Sequence, residues 1–355
     1  MRRGGETLRV VVGLAQWRLT CCLFNKLLCA FAPLRDNFFN RRGFPRRAFW
    51  RYLSLAPSLC LSLALLSGCQ PKRANRPVGI VNGCQKTPPF VGQLGFSNPA
   101  LSTSEKSRPG LWVIEAKENG RRYQHPSWTK AGFLAPIERD AEGNVFVAPA
   151  PVINTLLNPP AEQNAIWRVD GKTQAMERFI KLPDAAPPNE QNVYGALGLA
   201  YDCDTASLYV ASVFGSKRDQ EAGRVYRVDT KTKQVAAQLD NVDAFGLRVF
   251  NSVKGKRLYY GLGRKSEIWS ADLNDAGNFT GTPSREISLD GLGPRGNDKA
   301  RRLNFTANNE MSVFGIEFDF NLIAPTEKQE TVYRFRYDAF KDAWIYLPDA
   351  PQTVN

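Results

Sequence analysis

Cysteine is the residue whose chemistry in this sequence is most clearly indicated by its neighbours. Seven cysteines are present, and Cys69 directly follows Leu66, Ser67 and Gly68. Small residues let an extended backbone approach a peptidase closely, and the thiol is the only side chain of the four that can form a thioether. Residues 66–69 are therefore a candidate for cleavage and covalent modification.

An apolar run precedes this tetrapeptide. It extends without a charge from Leu53 to Leu66 and follows Arg46, Arg47 and Arg51. The run is shorter than the roughly 20 residues that a membrane-spanning helix needs. A basic stretch, an apolar stretch and a small-residue cleavage site in this order are typical of an export signal. An ordinary buried helix is the alternative interpretation.

The sequence Leu66-Ser67-Gly68-Cys69 resembles the lipobox of bacterial prolipoproteins. The resemblance implies cleavage between Gly68 and Cys69, a diacylglycerol on the thiol, and acylation (such as palmitate) of the new amino terminus. Two or three acyl chains attach a protein stably to a membrane, whereas one does so only marginally. We therefore expect an exported protein anchored through lipid on Cys69, with the rest of the chain outside the cytoplasm. Gln70, in place of an aspartate, favours the outer membrane in an organism that has one.

The same signal contains a second pattern. Arg46 and Arg47 are followed by Phe49 and Arg51, an arrangement that resembles the twin-arginine export motif. This resemblance implies export of an already folded protein. A plain basic stretch would instead fit the general secretory route, and the residues leave both routes open.

The chain divides into four segments. We interpret residues 1–45 as an over-extended or disordered N-terminus, 46–68 as a lipoprotein signal peptide, 69–90 as a polar tether and 91–355 as the folded domain. Residues 1–68 hold 11 Lys/Arg and 2 Asp/Glu, so of 47 basic and 34 acidic residues only 36 and 32 remain for the other 287. Because the net charge of +13 comes mainly from the targeting segment, we do not expect a nucleic-acid partner.

Two cysteines follow the proposed lipid site. Cys84 and Cys203 form an even pair, which in an oxidising compartment is a disulfide candidate. Two free thiols are the alternative. Because no cysteine pair has the spacing of a zinc site, a zinc-binding role is not indicated.

A strand pattern centred on an aromatic residue recurs along residues 91–355. Its copies begin at Leu111, Ile166, Val225, Ile268 and Val332. Further short strands and tight turns accompany most copies, and four short strands per unit at this spacing are typical of a propeller blade. Residues 196–239 resemble blades of the NHL and gluconolactonase (regucalcin-like) propellers. We therefore expect an all-β propeller of about five to six four-stranded blades, with a β-sandwich as the alternative.

The gluconolactonase resemblance also implies a divalent cation on the propeller axis. Carboxylate and amide oxygens are the ligands that Ca²⁺ and Mg²⁺ prefer, and the candidates near the innermost strands are Asp243, Asn241 and Asn304. These three do not form a recognisable ligand set, and no other cofactor is evident. His125 is the only histidine and lies in a polar segment, so a catalytic triad is not indicated.

Two classes of function follow. The first is a lipid-anchored binding or scaffolding module of the cell envelope, whose partner is an envelope protein, a glycan or a small molecule. The second is a metal-dependent hydrolase of the lactonase or esterase type. Because the sequence shows no recognisable set of catalytic residues and a fold does not by itself imply a function, we favour the binding module.

Replacing Cys69 with alanine tests the anchor. Because this variant lacks the thiol that would carry the lipid, we expect it to stay unlipidated and to accumulate as a precursor. Fatty-acid labelling, membrane fractionation and mass measurement follow these changes. Cys60→Ala is the matched control, since it removes a thiol of the apolar run and should keep the lipid. Unchanged processing and attachment of the Cys69→Ala protein would contradict the interpretation.

Overall fold

The computed structural model describes residues 76–103, 108–150, 156, 158–320 and 329–348, and the backbone of 353–354. In these ranges the helical elements are α1 (Pro89–Gln93) and the 3-10 helices Pro126–Thr129 and Pro160–Glu162. No helix in this part of the chain is long and apolar enough to cross a membrane. The strands are β1 (Gly79–Ile80), β2 (Pro99–Ser102), β3 (Trp112–Glu115), β4 (Arg122–Tyr123), β5 (Leu134–Arg139), β6 (Val145–Pro149), β7 (Ala165–Val169), β8 (Met176–Lys181), β9 (Ala196–Asp202), β10 (Ser207–Ser212), β11 (Arg224–Asp229), β12 (Gln234–Asp240), β13 (Ala244–Ser252), β14 (Gly255–Leu262), β15 (Glu267–Leu273), β16 (Phe279–Ser288), β17 (Lys299–Phe305), β18 (Glu310–Ile316), β19 (Glu330–Asp338), β20 (Ala343–Leu347) and β21 (Thr353–Val354).

The described strands form five antiparallel sheets, each a meander of consecutive strands. The orders are β2-β3-β4, β5-β6-β7-β8, β9-β10-β11-β12, β13-β14-β15-β16 and β17-β18-β19-β20. Two short strands add to this set, because β1 pairs with β13 and β21 pairs with β19. One strand of each sheet, namely β2, β5, β9, β13 and β17, lines a common central channel. The predicted all-β propeller is confirmed, and the described residues contain five blades rather than six. Four blades have four consecutive strands, and β2-β3-β4 has three.

Burial follows the position of a strand within its blade. The second strands β6 and β10 are buried at every residue, since neighbouring blades cover both of their faces. The outermost strand β12 alternates between exposed and half-buried residues, as a strand with one solvated face does. Such doubly covered strands explain the continuous apolar runs that mark the blades in the sequence.

Residues 76–88 cross one end of the channel. β1 pairs with the channel side of β13. The carbonyl of Val81 accepts a hydrogen bond from the amide of Cys203, in the turn after β9, and the amide of Lys86 donates to the carbonyl of Asp140, in the turn after β5. Because these contacts reach three blades, the segment fills this end of the channel.

The structure differs from the expected tether at 69–90. Its described part, residues 76–90, belongs to the fold, since Phe90 is 1% exposed and Cys84 is bonded to Cys203 with their Cα atoms 5.7 Å apart. The polar, proline-bearing composition of the segment concealed these few anchoring side chains. The predicted disulfide is confirmed.

A buried ion pair joins two blades at the same end of the channel. Lys256 Nζ lies 2.9 Å from both carboxylate oxygens of Asp202 and 2.6 Å from Asp204, and the side chains of Lys256 and Asp202 are fully buried. Asp202 also accepts hydrogen bonds from the Asp204 amide and the Thr205 hydroxyl. Removing one partner of a buried pair leaves an uncompensated charge, which typically costs about 3–5 kcal/mol. The pair therefore fixes the β9–β10 turn against the next blade.

The double variant Cys84→Ala/Cys203→Ala tests the contribution of the disulfide. The two cysteines are 119 residues apart, and in the chain-entropy model a bridge closing so long a loop stabilises by about 4–5 kcal/mol. We expect the free energy of unfolding, measured by urea denaturation of the full chain, to fall by about this amount. The wild-type protein should lose a similar amount on reduction. An unchanged unfolding midpoint in both experiments would contradict the expected contribution.

Candidate functional site

The central channel encloses a cavity of about 300 Å³. This volume lies at the lower end of the range of small-molecule pockets, which is about 300–1,000 Å³. All five blades contribute to its wall. The lining residues on or beside the inner strands are 101–103, 135–137, 197–199, 245–248 and 301–303, and Ala150, Tyr194 and Ile316 add to them.

Four of the five inner strands carry a β-bulge at the level of this cavity. In each of them the inner strand has one residue more than its partner, between Leu134 and Ile137, Ala196 and Gly198, Ala244 and Leu247, and Ala300 and Arg302. The residues within the four bulges all line the cavity, namely 135–136, Leu197, 245–246 and Arg301. Bulges re-aim side chains and are over-represented next to active sites. Their coincidence marks this cavity as the candidate functional site.

Two glycines allow the inner strands to approach each other at the axis. A Cβ atom at Gly198 would overlap the carbonyl oxygen of Phe245 on the neighbouring blade. A Cβ atom at Gly246 would lie 2.6 Å from Arg302 Cα and 2.7 Å from the carbonyl oxygen of Arg301. A side chain at either position would clash with the neighbouring backbone, so glycine is required at both positions for this channel width.

Arg248 enters the cavity from β13. Its Nη1 donates to Glu138 Oε2 at 2.8 Å and to the carbonyl oxygens of Leu199 and Leu247 at 3.1 Å. The other oxygen of Glu138 accepts from the side-chain amide of Gln85 at 2.8 Å. This ion pair therefore links β5, β13 and the segment that fills the end of the channel.

Two further arginines enter from β17 and share one carboxylate. Arg301 Nη1 lies 2.8 Å from Glu330 Oε1, and Arg302 Nη2 lies 2.5 Å from Glu330 Oε2. The Arg302 guanidinium also lies over the ring of Phe314, 4.4 Å from its centroid. Burial is the main cause that lowers the pKa of Arg301, and the neighbouring charge of Arg302 adds to it, while Glu330 opposes the shift. Arg301 is thus a desolvated cation at the cavity wall that shares its counter-ion, Glu330, with Arg302.

An aromatic cluster forms the wall away from β1. Its members are Tyr194 and Phe245, which line the cavity, and Phe318 and Phe320 behind them. The ring centroids of Phe245 and Phe318 are 4.5 Å apart, and those of Phe318 and Phe320 are 5.2 Å apart. The Arg264 guanidinium covers Phe320 at 4.9 Å. The cavity therefore combines cationic and apolar walls.

The structure gives Asp243 partners other than a metal ion. Its carboxylate is buried and accepts hydrogen bonds from Ser216 Oγ at 2.5 Å, Arg264 Nε at 2.6 Å and the Gly223 amide at 3.1 Å. Burial raises its pKa, and the Ser216 hydrogen bond and the charge of Arg264 oppose that shift. The interactions close the β10–β11 loop onto the start of β13, which is a structural role.

The other predicted site residues do not join Asp243 in one cluster. Asn241 occupies the β12–β13 turn with a φ of 55°, and Asn304 is exposed on β17. In the described ranges no three His, Cys, Asp or Glu side chains are grouped so that they could hold a metal ion. The lipobox residues Leu66, Ser67, Gly68 and Cys69, and Arg46, Arg47 and Phe49, lie outside the described residues.

Sequence reasoning missed the three arginines of the channel. Arg248 is the one charged residue in the apolar strand Phe245–Phe250, and Arg301 and Arg302 follow Ala300 and precede Leu303. A charge inside an apolar strand was the available signal. Only the strand pairing and the bulges reveal that all three face one cavity.

Gly246→Ala tests the close approach of the inner strands. The added methyl group must displace the backbone of β17, and overpacking of this kind costs about 1–3 kcal/mol. We expect urea denaturation to show a loss in that range. Gly92→Ala is the matched control, because a Cβ atom there meets nothing within 4 Å, and its stability should change by less than about 1 kcal/mol. Equal stability of the two variants would contradict the tight contact.

Comparison with known proteins gave only structural similarities. No protein-family model matches the sequence, and no curated protein is significantly similar to it. Among solved structures, the chain is similar to a luciferin-regenerating enzyme, with 13% identity, a TM-score of 0.41, and 78% of this chain and 80% of that chain covered. It is similar to regucalcin of Agrobacterium tumefaciens, with 13% identity, a TM-score of 0.42 and the same two coverages. It is also similar to a periplasmic gluconolactonase of Pseudomonas aeruginosa, with 13% identity, a TM-score of 0.43 and 70% of each chain covered.

Proposed function

We propose that this protein is exported, anchored to the outer side of a membrane through lipid on Cys69, and binds a small ligand in its central channel without transforming it. The export signal and the lipobox resemblance of residues 66–69 support the location. The channel cavity supports the binding role. Its volume of about 300 Å³ favours a small molecule over a protein or a long glycan.

The convergence of four bulges on one cavity is the observation that carries this proposal. A bulge interrupts a ladder of hydrogen bonds and is retained where it serves a purpose. Here four separate sheets place the residues of their bulges on the same wall. Bulges also occur between the two outer strands of three blades, but the four bulges of the inner strands all face one cavity.

The charges of the cavity favour binding over metal-dependent hydrolysis. A calcium or magnesium ion requires several oxygen ligands, whereas Arg248, Arg301 and Arg302 present cations to this cavity. The nearby carboxylates of Glu138 and Glu330 each accept hydrogen bonds from these arginines. A divalent cation at this wall would have to displace the arginines from both carboxylates.

The lipidated protein, extracted in mild detergent, can be screened against small acids, amides and sugars by thermal shift and calorimetry, and against lactones and esters with Ca²⁺, Mg²⁺ or a chelator. We expect saturable binding and no metal-dependent turnover. Leu197→Trp fills the cavity from the bulge of β9 and should abolish binding. Val253→Trp, at a residue 47% exposed outside the cavity, should leave binding intact. Lactone turnover that the chelator removes would favour the hydrolase instead.

A further inference from the structure

We propose that the ligand of the channel is a small organic monoanion with an apolar body, its charged group bound by Arg301 and Arg302. This inference rests on the proposed binding function and names the chemistry that the cavity recognises.

The charged side chains of the cavity have a net charge of +1. Arg248, Arg301 and Arg302 line it, and two carboxylates, Glu138 and Glu330, pair with them. Glu138 neutralises Arg248, whereas Glu330 is divided between the two arginines of β17. The excess therefore lies at Arg301 and Arg302, and one monoanion would neutralise it.

The donors of these two arginines are mostly available for a ligand. A guanidinium carries five N–H donors, and in the described part of the chain Arg301 and Arg302 each donate one hydrogen bond, to Glu330. The paired N–H groups of arginine match the two oxygens of a carboxylate or a phosphate. Arg301 is placed on the cavity wall by the bulge of β17, and burial strips its charge of water. An anionic ligand would supply the missing counter-charge.

Apolar side chains form the remainder of the wall. Leucines from four of the inner strands face the cavity, and the aromatic cluster defined above adds Tyr194 and Phe245. Burying a CH₂ group of a ligand against such a wall contributes about 0.8 kcal/mol. A ligand with both an anionic group and an aliphatic or aromatic body would therefore use both kinds of wall.

Calorimetry with three probes, octanoate, octanamide and acetate, tests this inference on the lipidated protein. Octanoate should bind, while octanamide, which lacks the charge, and acetate, which lacks the body, should bind at least tenfold more weakly. Arg301→Gln and Arg302→Gln should each weaken octanoate binding by about ten- to hundredfold, the loss expected for a hydrogen bond between charged groups. Arg302 is 56% exposed, so its variant should fold even if Arg301→Gln does not.

Arg285→Gln is the matched control. Arg285 pairs with Glu267 on the outer part of its blade and is 61% exposed, so this variant should bind octanoate as the wild type does. If octanoate and octanamide bind equally well and Leu197→Trp abolishes both, the channel is a binding site but the proposal that its ligand is an anion is wrong. The same conclusion would follow if octanoate did not bind but a neutral compound of the wider screen did, and Leu197→Trp abolished the binding of that compound. If no compound of either screen binds, both proposals fail.

Discussion

The close approach of five strands at the propeller axis is the constraint on which the rest of the structure depends. Gly198 and Gly246 satisfy it by presenting no side chain where a neighbouring backbone passes. The bulges act at the same level of the axis, and each places its extra residues on the cavity wall. The cavity is the space that the closely approaching strands and their bulges leave at the axis. Its shape is therefore a property of the blade contacts and of no single loop.

Charged residues in this domain are largely used to hold loops and blades in place. Lys256 with Asp202 and Arg264 with Asp243 fix turns against blade edges, and Arg295 binds the buried Asp298 beside Tyr333. Each of these acids has a basic partner within the domain. Arg301 differs from these basic partners, because it shares its carboxylate partner Glu330 with a second arginine, Arg302.

The sequence predicts the strands, the propeller and the disulfide because short-range patterns or simple counts indicate each of them. A repeated aromatic residue indicates the blades, and the even number of cysteines after Cys69 indicates the bridge between Cys84 and Cys203. The candidate site could not be found in this way, since Arg248 and Arg301 are 53 positions apart and lie on the inner strands of separate blades that share one cavity. Asp243 is a metal-ligand candidate in the sequence because its carboxylate lies near an inner strand, but its partners Ser216 and Arg264 come from loops that no periodicity connects to it.

The position of the disulfide determines how the domain bears a mechanical load. A pull on the chain at residue 76 acts first on the two-residue strand β1, which a few hydrogen bonds hold to β13. It then reaches Cys84, where a covalent bond passes the force into the turn that Lys256 and Asp202 secure. Gln85, which holds Glu138 beside Arg248, comes after that bond in the chain, so part of the force bypasses it. A pull at residue 76 would therefore open the end of the channel that β1 covers before it disturbs a blade.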